Sequence, residues 1–383
     1  MTDEPLSVGV LGYRFMGKAH ANALARLPMF FPDAPAVERE VIVGRDEAAL
    51  TDAADRLGFE RYATDWEAVV DEVDVFYNLG PNNIHADPSI AALEAGTHVF
   101  CEKPLAHTLD DAKRMRDAAR NSDATAGVAF NYRFIPAIQY ARNRIQSGEL
   151  GDIHHVRGKY LQDWLVDPEA PWSWRNSKEL AGSGALGDLG AHTIDLTRFL
   201  VGDVAGDLTR LSGHLQTFVD ERPVSGSGDG SPEEGGDSIE TREVTVDDAY
   251  TAQAEFENGA VATYEASRFA NGAKNDHSIE VHGSKGSLRF SLERLNELEV
   301  LREGDRGYET VLVTDEDDPY VDHWWPPGHV IGWEHTFVHE NYEFLSAAAA
   351  GESHSPSFED GYRVQELLAA VEASDDTGEW VEV

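Results

Sequence analysis

The sequence of 383 residues predicts an α/β protein with two domains. Residues 1–130 read as a doubly wound parallel sheet. Residues 131–383 read as an α+β domain with a mostly antiparallel sheet. Three observations carry this. Apolar strand-like runs alternate with helical patterns through the first third. A glycine-rich turn follows the first of those runs. From about Asn131 onward the periodicity changes to two.

In the first part, strands are expected over residues 7–12, 40–44, 74–79, 98–101 and 126–130. Helices are expected between them, over 18–26, 47–57, 88–95 and 109–120. Strands separated by helices of this length form βαβ crossovers and hence a parallel sheet. "ALEAGTHVF" is one clean unit, with Gly96 as the helix C-cap before an apolar strand. In the second part, "TAQAEFENGAVATYEASRF", "HSIEVHGSKGSLRFSL" and "LNELEVLRE" alternate apolar and polar residues. "ENGA" and "GSKGS" sit at the hairpin turns. The glycine-, serine- and acid-rich run 225–237 reads as a solvated loop. A final helix is expected over about 360–372.

Composition narrows the class. Hydrophobic content of 41% and charged content of 26% are those of a globular protein. No apolar run reaches the length of a membrane span. "MTDEPLS" lacks the basic start and apolar stretch of a signal peptide, so a cytoplasmic location is expected. The single cysteine, Cys101, leaves no internal disulfide and no cysteine-based zinc site. The 70 acidic and 31 basic residues give a net charge of -39. The acidic residues are spread along the chain. That pattern fits a surface kept soluble in high salt better than one acidic face for a basic partner, and points to a halophilic source. Such a surface repels phosphates, so nucleic acid is not an expected partner.

Two glycine loops compete for a dinucleotide. "GSGALG" (Gly182 to Gly187) matches G-x-G-x-x-G letter for letter, but "WSWRNSKELA" before it has no strand pattern. "LGYRFMG" (Leu11 to Gly17) has Arg14 where the second glycine belongs, yet a strand precedes it and a helix follows. Context decides for the second loop. Gly12 allows the tight turn and Gly17 close packing of helix on strand. Phe15 and Met16 begin a helix whose free N–H groups and positive dipole end face a phosphate. After the second strand, "VIVGRDE" places Gly44 and then Arg45 where an NAD site usually has an acid. The cofactor is therefore NAD(P), with NADP favoured over NAD.

"CEKPLA" follows the expected fourth strand of this first sheet. Together with "GPNNIHAD", "NYR" and "SGALGDLGAHTIDL" it resembles the Gfo/Idh/MocA family of oxidoreductases, over nearly the whole chain. Within that family it is most similar to levoglucosan- and inositol-dehydrogenase-like members. The resemblance implies a Rossmann domain, a C-terminal domain with a large open sheet, and an active site in a cleft between them. It also implies a homo-oligomer, dimer or tetramer, paired through the sheets.

The same resemblance makes Lys103 the active-site lysine, holding the reacting oxygen of the substrate. On residues alone, Lys103 lies just past a parallel strand's carboxyl end, where ligands bind in such sheets. Glu102 either positions Lys103, contacts the cofactor or plays a structural part only. The family's D-x-x-x-H falls on Asp188 and His192, four apart at the start of an expected helix, with Asp195 just beyond. Histidine is a natural base near neutral pH. The plain alternative is a helix-capping aspartate and a packed histidine. No metal is expected, because Asp188 and His192 lack a third ligand. Pro81, Asn82 and His85 are expected to line the cofactor channel. Asn131, Tyr132, Arg133, Gln162, Trp164, Trp174 and Arg175 supply hydrogen bonds and flat faces suited to a sugar. The "HWWPPGH" run is expected at the cleft edge.

The function implied is NAD(P)-dependent oxidation of a secondary hydroxyl of a sugar or cyclic polyol, or reduction of the matching ketone. Two other readings stand beside it. One is an NAD-dependent glycosidase of the same fold. The other is a non-catalytic dinucleotide sensor, which intact Lys103, Asp188 and His192 disfavour.

Overall fold

The computed structural model describes residues 4–224 and 240–383. The loop expected over 225–237 lies outside the described residues.

The chain begins with β1 (Leu6–Leu11), α1 (Phe15–Phe30), β2 (Val37–Val43), α2 (Glu47–Leu57), β3 (Arg61–Ala63) and β4 (Val75–Asn78). It continues with α3 (Ala86–Ala95), β5 (His98–Cys101), α4 (Leu109–Arg120), β6 (Ala126–Val128) and α5 (Pro136–Gln146). The next stretch holds β7 (Ile153–Leu161), α6 (Lys178–Ala181), α7 (Ala191–Ala205), β8 (Leu208–Gln216), β9 (Glu221–Pro223) and β10 (Thr241–Glu243). Then come β11 (Ala249–Phe256), β12 (Val261–Ser267), β13 (Asp276–Gly283), β14 (Ser287–Ser291), β15 (Glu297–Leu301) and β16 (Glu309–Leu312). Two long helices, α8 (Trp333–Ala350) and α9 (Phe358–Thr377), and a short β17 (Val381–Glu382) complete it.

Residues 1–140 and 313–365 form one compact unit, and residues 141–312 and 366–383 a second. The first unit holds a six-stranded sheet in the order β3-β2-β1-β4-β5-β6, every pair parallel. This is the doubly wound order of a dinucleotide-binding sheet. Its central strands are buried on both faces, which is why "VFYN" of β4 reads as an unbroken buried run. The core joins Val8, Val10 and Tyr77 of the sheet to Leu24 and Leu27 of α1, and to Phe337, Phe344 and Leu345 of α8.

The helix expected over 18–26 is longer at both ends. It carries Pro28 inside it. Proline normally ends a helical reading, but Phe31 still closes the last turn on Leu27 O at 2.8 Å. The aromatic run "HWWPPGH" packs within the first unit against that end. His323 stacks on Phe31 at 4.2 Å, and Trp324 lies 4.5 Å from Phe30.

The second unit is built on a nine-stranded sheet, β16-β15-β14-β13-β7-β12-β11-β8-β17. Only β7 and β12 pair in parallel. The expected alternation is present: in β11 the even positions from Tyr250 to Phe256 are buried, while Thr251 and Gln253 are exposed.

Candidate active site

The glycine loop follows β1. Gly12 has φ 110°, and a Cβ there would stand 2.7 Å from Leu79 O. A Cβ on Gly17 would stand 2.3 Å from Gly12 O. Only glycine fits either place. Arg14 is the exposed N-cap residue of α1. No side chain caps that helix, and its first turn holds no acidic residue. The positive end of the dipole and the Arg14 guanidinium therefore share one sign, which suits a pyrophosphate. These residues fit a dinucleotide.

Phe15 is 63% exposed and stacks on Trp333 at 5.7 Å. Trp333 also donates from Nε1 to the Tyr132 hydroxyl at 3.4 Å. No sequence motif marks Trp333. Met16 packs against the core of this unit.

At the end of β2, the Tyr13 ring lies against Gly44, and a Cβ there would meet it at 2.6 Å. Asp46 caps α2 by accepting from Ala49 N at 3.2 Å. Glu47 accepts from the Tyr62 hydroxyl at 2.9 Å. Both acids are committed within the protein, and Arg45 stays exposed.

Beyond β4 come Pro81, Asn82 and His85. His85 is fully buried, with Nδ1 3.0 Å from Pro104 O and Nε2 3.0 Å from Gly80 O. Burial lowers its pKa. Both neighbours are carbonyl oxygens, so the neutral ring donates to one of them and sits between the two loops. Asn82 is 9% exposed.

The E-K-P turn leaves β5 at its carboxyl end. Glu102 is buried and accepts from the Lys103 backbone N–H at 3.1 Å and from His20 at 3.2 Å. Lys103 is half-buried. Asn131, Tyr132 and Arg133, expected to meet substrate, are each at most 4% exposed. Asn131 donates to the Thr336 hydroxyl at 2.8 Å, and Arg133 faces Asp360 at 3.4 Å. Within this unit their side chains knit the segment after β6 to α8 and α9.

In the second unit, "GSGALG" is the turn into α7. Residues 186–190 wind as a π-helical turn, closed by Ala191 N on Leu186 O. The ordinary α start expected for Asp188 and His192 is therefore replaced by a wider one, a feature concentrated at functional sites. Asp188 is half-buried and His192 is 8% exposed. Tyr160 and His277 flank the His192 ring at 6.0 and 6.4 Å. His277 is fully buried, and burial lowers its pKa to about 3. Asp195, one turn on, is buried.

A buried carboxylate holds this turn. Asp247 accepts from Gly184 N at 2.6 Å and from Leu186 N at 2.8 Å. A Cβ on Gly184 would lie 1.7 Å from Asp247 O. Arg268, itself fully buried, donates to that carbonyl at 2.7 Å and faces Asp248 at 3.6 Å. Burial raises the Asp247 pKa against the pull of Arg268 and the two N–H groups. Neither Asp247 nor Arg268 stands in a recognisable motif.

Gln162 donates to Asn275 at 2.8 Å. Trp164 is 44% exposed, with the Arg268 guanidinium 5.8 Å from its ring. Arg175 covers the Trp174 ring at 4.4 Å. Among the described residues, no group of three or more His, Cys, Asp or Glu is placed to hold a metal ion. None of the described helices is long and apolar enough to cross a membrane.

Residues 6–130 match the model of an oxidoreductase family with an NAD-binding Rossmann fold. Residues 138–289 match the GFO/IDH/MocA C-terminal domain. A levoglucosan dehydrogenase from Pseudarthrobacter phenanthrenivorans is 42% identical over 387 aligned residues, covering 99% of this chain and 98% of that protein. The chain belongs to the Gfo/Idh/MocA family of oxidoreductases. It is an oxidoreductase with an NAD-binding Rossmann domain. Among solved structures, a levoglucosan dehydrogenase in complex with NADH and levoglucosan is similar to this oxidoreductase with a TM-score of 0.91 at 41% identity. That match covers 99% of this chain and 100% of the other. An oxidoreductase domain protein from Kribbella flavida is similar with a TM-score of 0.92 at 44% identity, covering 99% of both chains.

Proposed function

We propose that this oxidoreductase is an NAD(P)-dependent dehydrogenase that oxidises one secondary hydroxyl of a sugar or cyclic polyol, or reduces the matching ketone. The observation that carries it is the E-K-P turn. It sets Lys103 at the carboxyl end of β5 in a doubly wound sheet, where ligands bind. The full-length similarity to a levoglucosan dehydrogenase supports the substrate class.

The residues divide the work. Lys103 donates a hydrogen bond to the substrate oxygen and stabilises negative charge as it develops there. His192 takes the hydroxyl proton. Asp188 orients the substrate or the imidazole. When bound, the nicotinamide supplies the hydride acceptor for the carbon that bears the hydroxyl. Gly12, Arg14 and the start of α1 hold the pyrophosphate. Pro81 and Asn82 line the same side. Gln162, Trp164, Trp174 and Arg175 receive the sugar's hydroxyls and its flatter face. Exposed Arg45 and the absence of an acid at Gly44 favour NADP. The similarity to a dehydrogenase solved with NADH favours NAD.

The test is a panel of sugars, anhydrosugars, polyols and glycosides with NAD and NADP at high salt, following reduced nicotinamide and released sugar together. Reduced nicotinamide from a sugar or polyol is the expected result. Sugar release without it would establish the glycosidase. Lys103→Ala and His192→Ala should each lower kcat by about 10²–10⁴-fold. Near-normal turnover in either variant with normal cofactor binding would remove that residue from the mechanism.

The same reading includes a cytoplasmic homo-oligomer, dimer or tetramer, from a halophilic source. It keeps residues 1–130 and 131–383 as the cofactor and substrate domains. Light scattering of the eluted protein measures the oligomer directly.

A further inference from the structure

His20 lies one turn along α1 from the glycine loop, and no part of the proposed reaction uses it. It is fully buried. Phe100 and Phe337 meet its ring edge-on at 5.7 and 5.4 Å, and Tyr77 lies at 5.6 Å. Inside this aromatic cage both ring nitrogens are bonded. The Tyr77 hydroxyl donates to Asn341 Oδ1 at 2.8 Å, which fixes the orientation of that amide. Asn341 Nδ2 donates to Phe337 O at 2.7 Å and reaches His20 Nδ1 at 3.1 Å. Nδ1 is therefore an acceptor, so the proton of a neutral ring sits on Nε2. Nε2 donates to Glu102 Oε1 at 3.2 Å, and Glu102 Oε2 accepts the Lys103 N–H at 3.1 Å. The donors run in one direction, from Tyr77 through Asn341 and His20 to Glu102.

We propose that His20 is a positioning residue for Lys103, the far end of a buried hydrogen-bond chain that fixes the lysine turn to the cofactor helix. The inference rests on the dehydrogenase reading for its catalytic consequence, but not for its structural claim. The chain joins β4, α8, α1 and the E-K-P turn, so α1 and the lysine turn cannot shift independently. A buried carboxylate is costly to leave without partners. If His20 no longer donates, Glu102 Oε1 loses this partner, and the hold of the carboxylate on the Lys103 peptide changes. The imidazole transmits position and carries no proton in the reaction.

The experiment compares His20→Phe with His20→Gln in the full chain. Phenylalanine keeps the ring and its aromatic contacts and removes both hydrogen bonds. Glutamine restores one donor and one acceptor. The first readout needs no substrate: trace acylation of lysines, read by peptide mass spectrometry, with Lys274 and Lys285 as internal references. His20→Phe should change the relative reactivity of Lys103 at least about threefold. His20→Gln should return it close to wild type. With substrate, His20→Phe should lower kcat at least about tenfold and leave KM within about threefold. Unchanged Lys103 reactivity in His20→Phe would overturn the proposal, as would His20→Gln departing as far as His20→Phe. Asn341→Leu breaks the chain one residue earlier and should shift Lys103 in the same direction; if His20→Phe does not fold, this variant decides the question by the same criterion. A wild-type chain that oxidises no sugar would overturn the dehydrogenase reading, and the labelling would still decide the role of His20.

Discussion

His339 makes a definite demand on pH. It lies on α8, fully buried, stacked on Tyr320 at 4.3 Å. The Trp324 indole donates to its Nε2 at 2.8 Å, and its Nδ1 lies 2.8 Å from Phe134 O. An indole nitrogen can only donate, so Nε2 must be bare and the proton must sit on Nδ1. Charging the ring would place a second proton against the Trp324 N–H. Burial lowers its pKa from 6.5 to about 3, against the opposing pull of the Phe134 carbonyl. The folded value lies below the unfolded one. Between about pH 6.5 and pH 3 the unfolded chain binds a proton that the folded chain refuses. Stability is therefore full above pH 6.5 and is lost as pH falls. At about 1.4 kcal/mol per pH unit, the loss from this one ring at pH 5 is about 2 kcal/mol. His339→Phe keeps the stacking and removes the titration. It should be less stable at pH 7 by about 1–3 kcal/mol, because the indole N–H and the carbonyl lose their partner. By pH 5 most of that deficit should vanish. Urea unfolding of both proteins at the two pH values measures it. A deficit that stays constant between pH 7 and pH 5 would refute the assignment of a neutral, Nδ1-protonated His339.

Three further outcomes are expected. Gly17→Ala puts a carbon against Gly12 O, costs about 1–3 kcal/mol of stability and should weaken dinucleotide binding at least about tenfold, read by quenching of intrinsic fluorescence; unaltered affinity would argue against this loop as the cofactor site. Asp247→Asn leaves one of the two turn N–H groups without an acceptor, so kcat should fall while cofactor affinity holds; equal kcat would show that the turn keeps its place without the charge. Raising salt from about 0.1 M to about 1 M shortens the screening length from about 10 Å to about 3 Å. With a net charge of -39, Tm should rise, and a falling Tm would contradict the surface-repulsion argument.

The parallel sheet was readable because its strands are buried apolar runs bounded by turn signals. Helices α2 and α4 fall on their expected spans because their ends carry local chemistry. Asp46 and Thr108 cap their N-termini, and Gly58 takes the left-handed turn after α2. The strand β3 went unread because three half-buried edge residues leave no pattern. The π turn at Asp188 is equally silent, since one extra residue in a turn does not alter the motif's letters. The supports of the candidate site were hidden for another reason. His20 meets Glu102 across 82 positions, and Asp247 meets Leu186 across 61. Arg222 and Arg268 are fully buried, where charged residues are rare. No local signal predicts such pairings.

The letter-perfect fingerprint at residues 182–187 can now be seen in a different light. Its backbone amides at Gly184 and Leu186 do clasp an anion, as the letters promise. The anion is the chain's own Asp247, tethered and present at all times. Both of these amides are already engaged within the chain. The same amide geometry that elsewhere captures a diffusing nucleotide has here become an internal fastener.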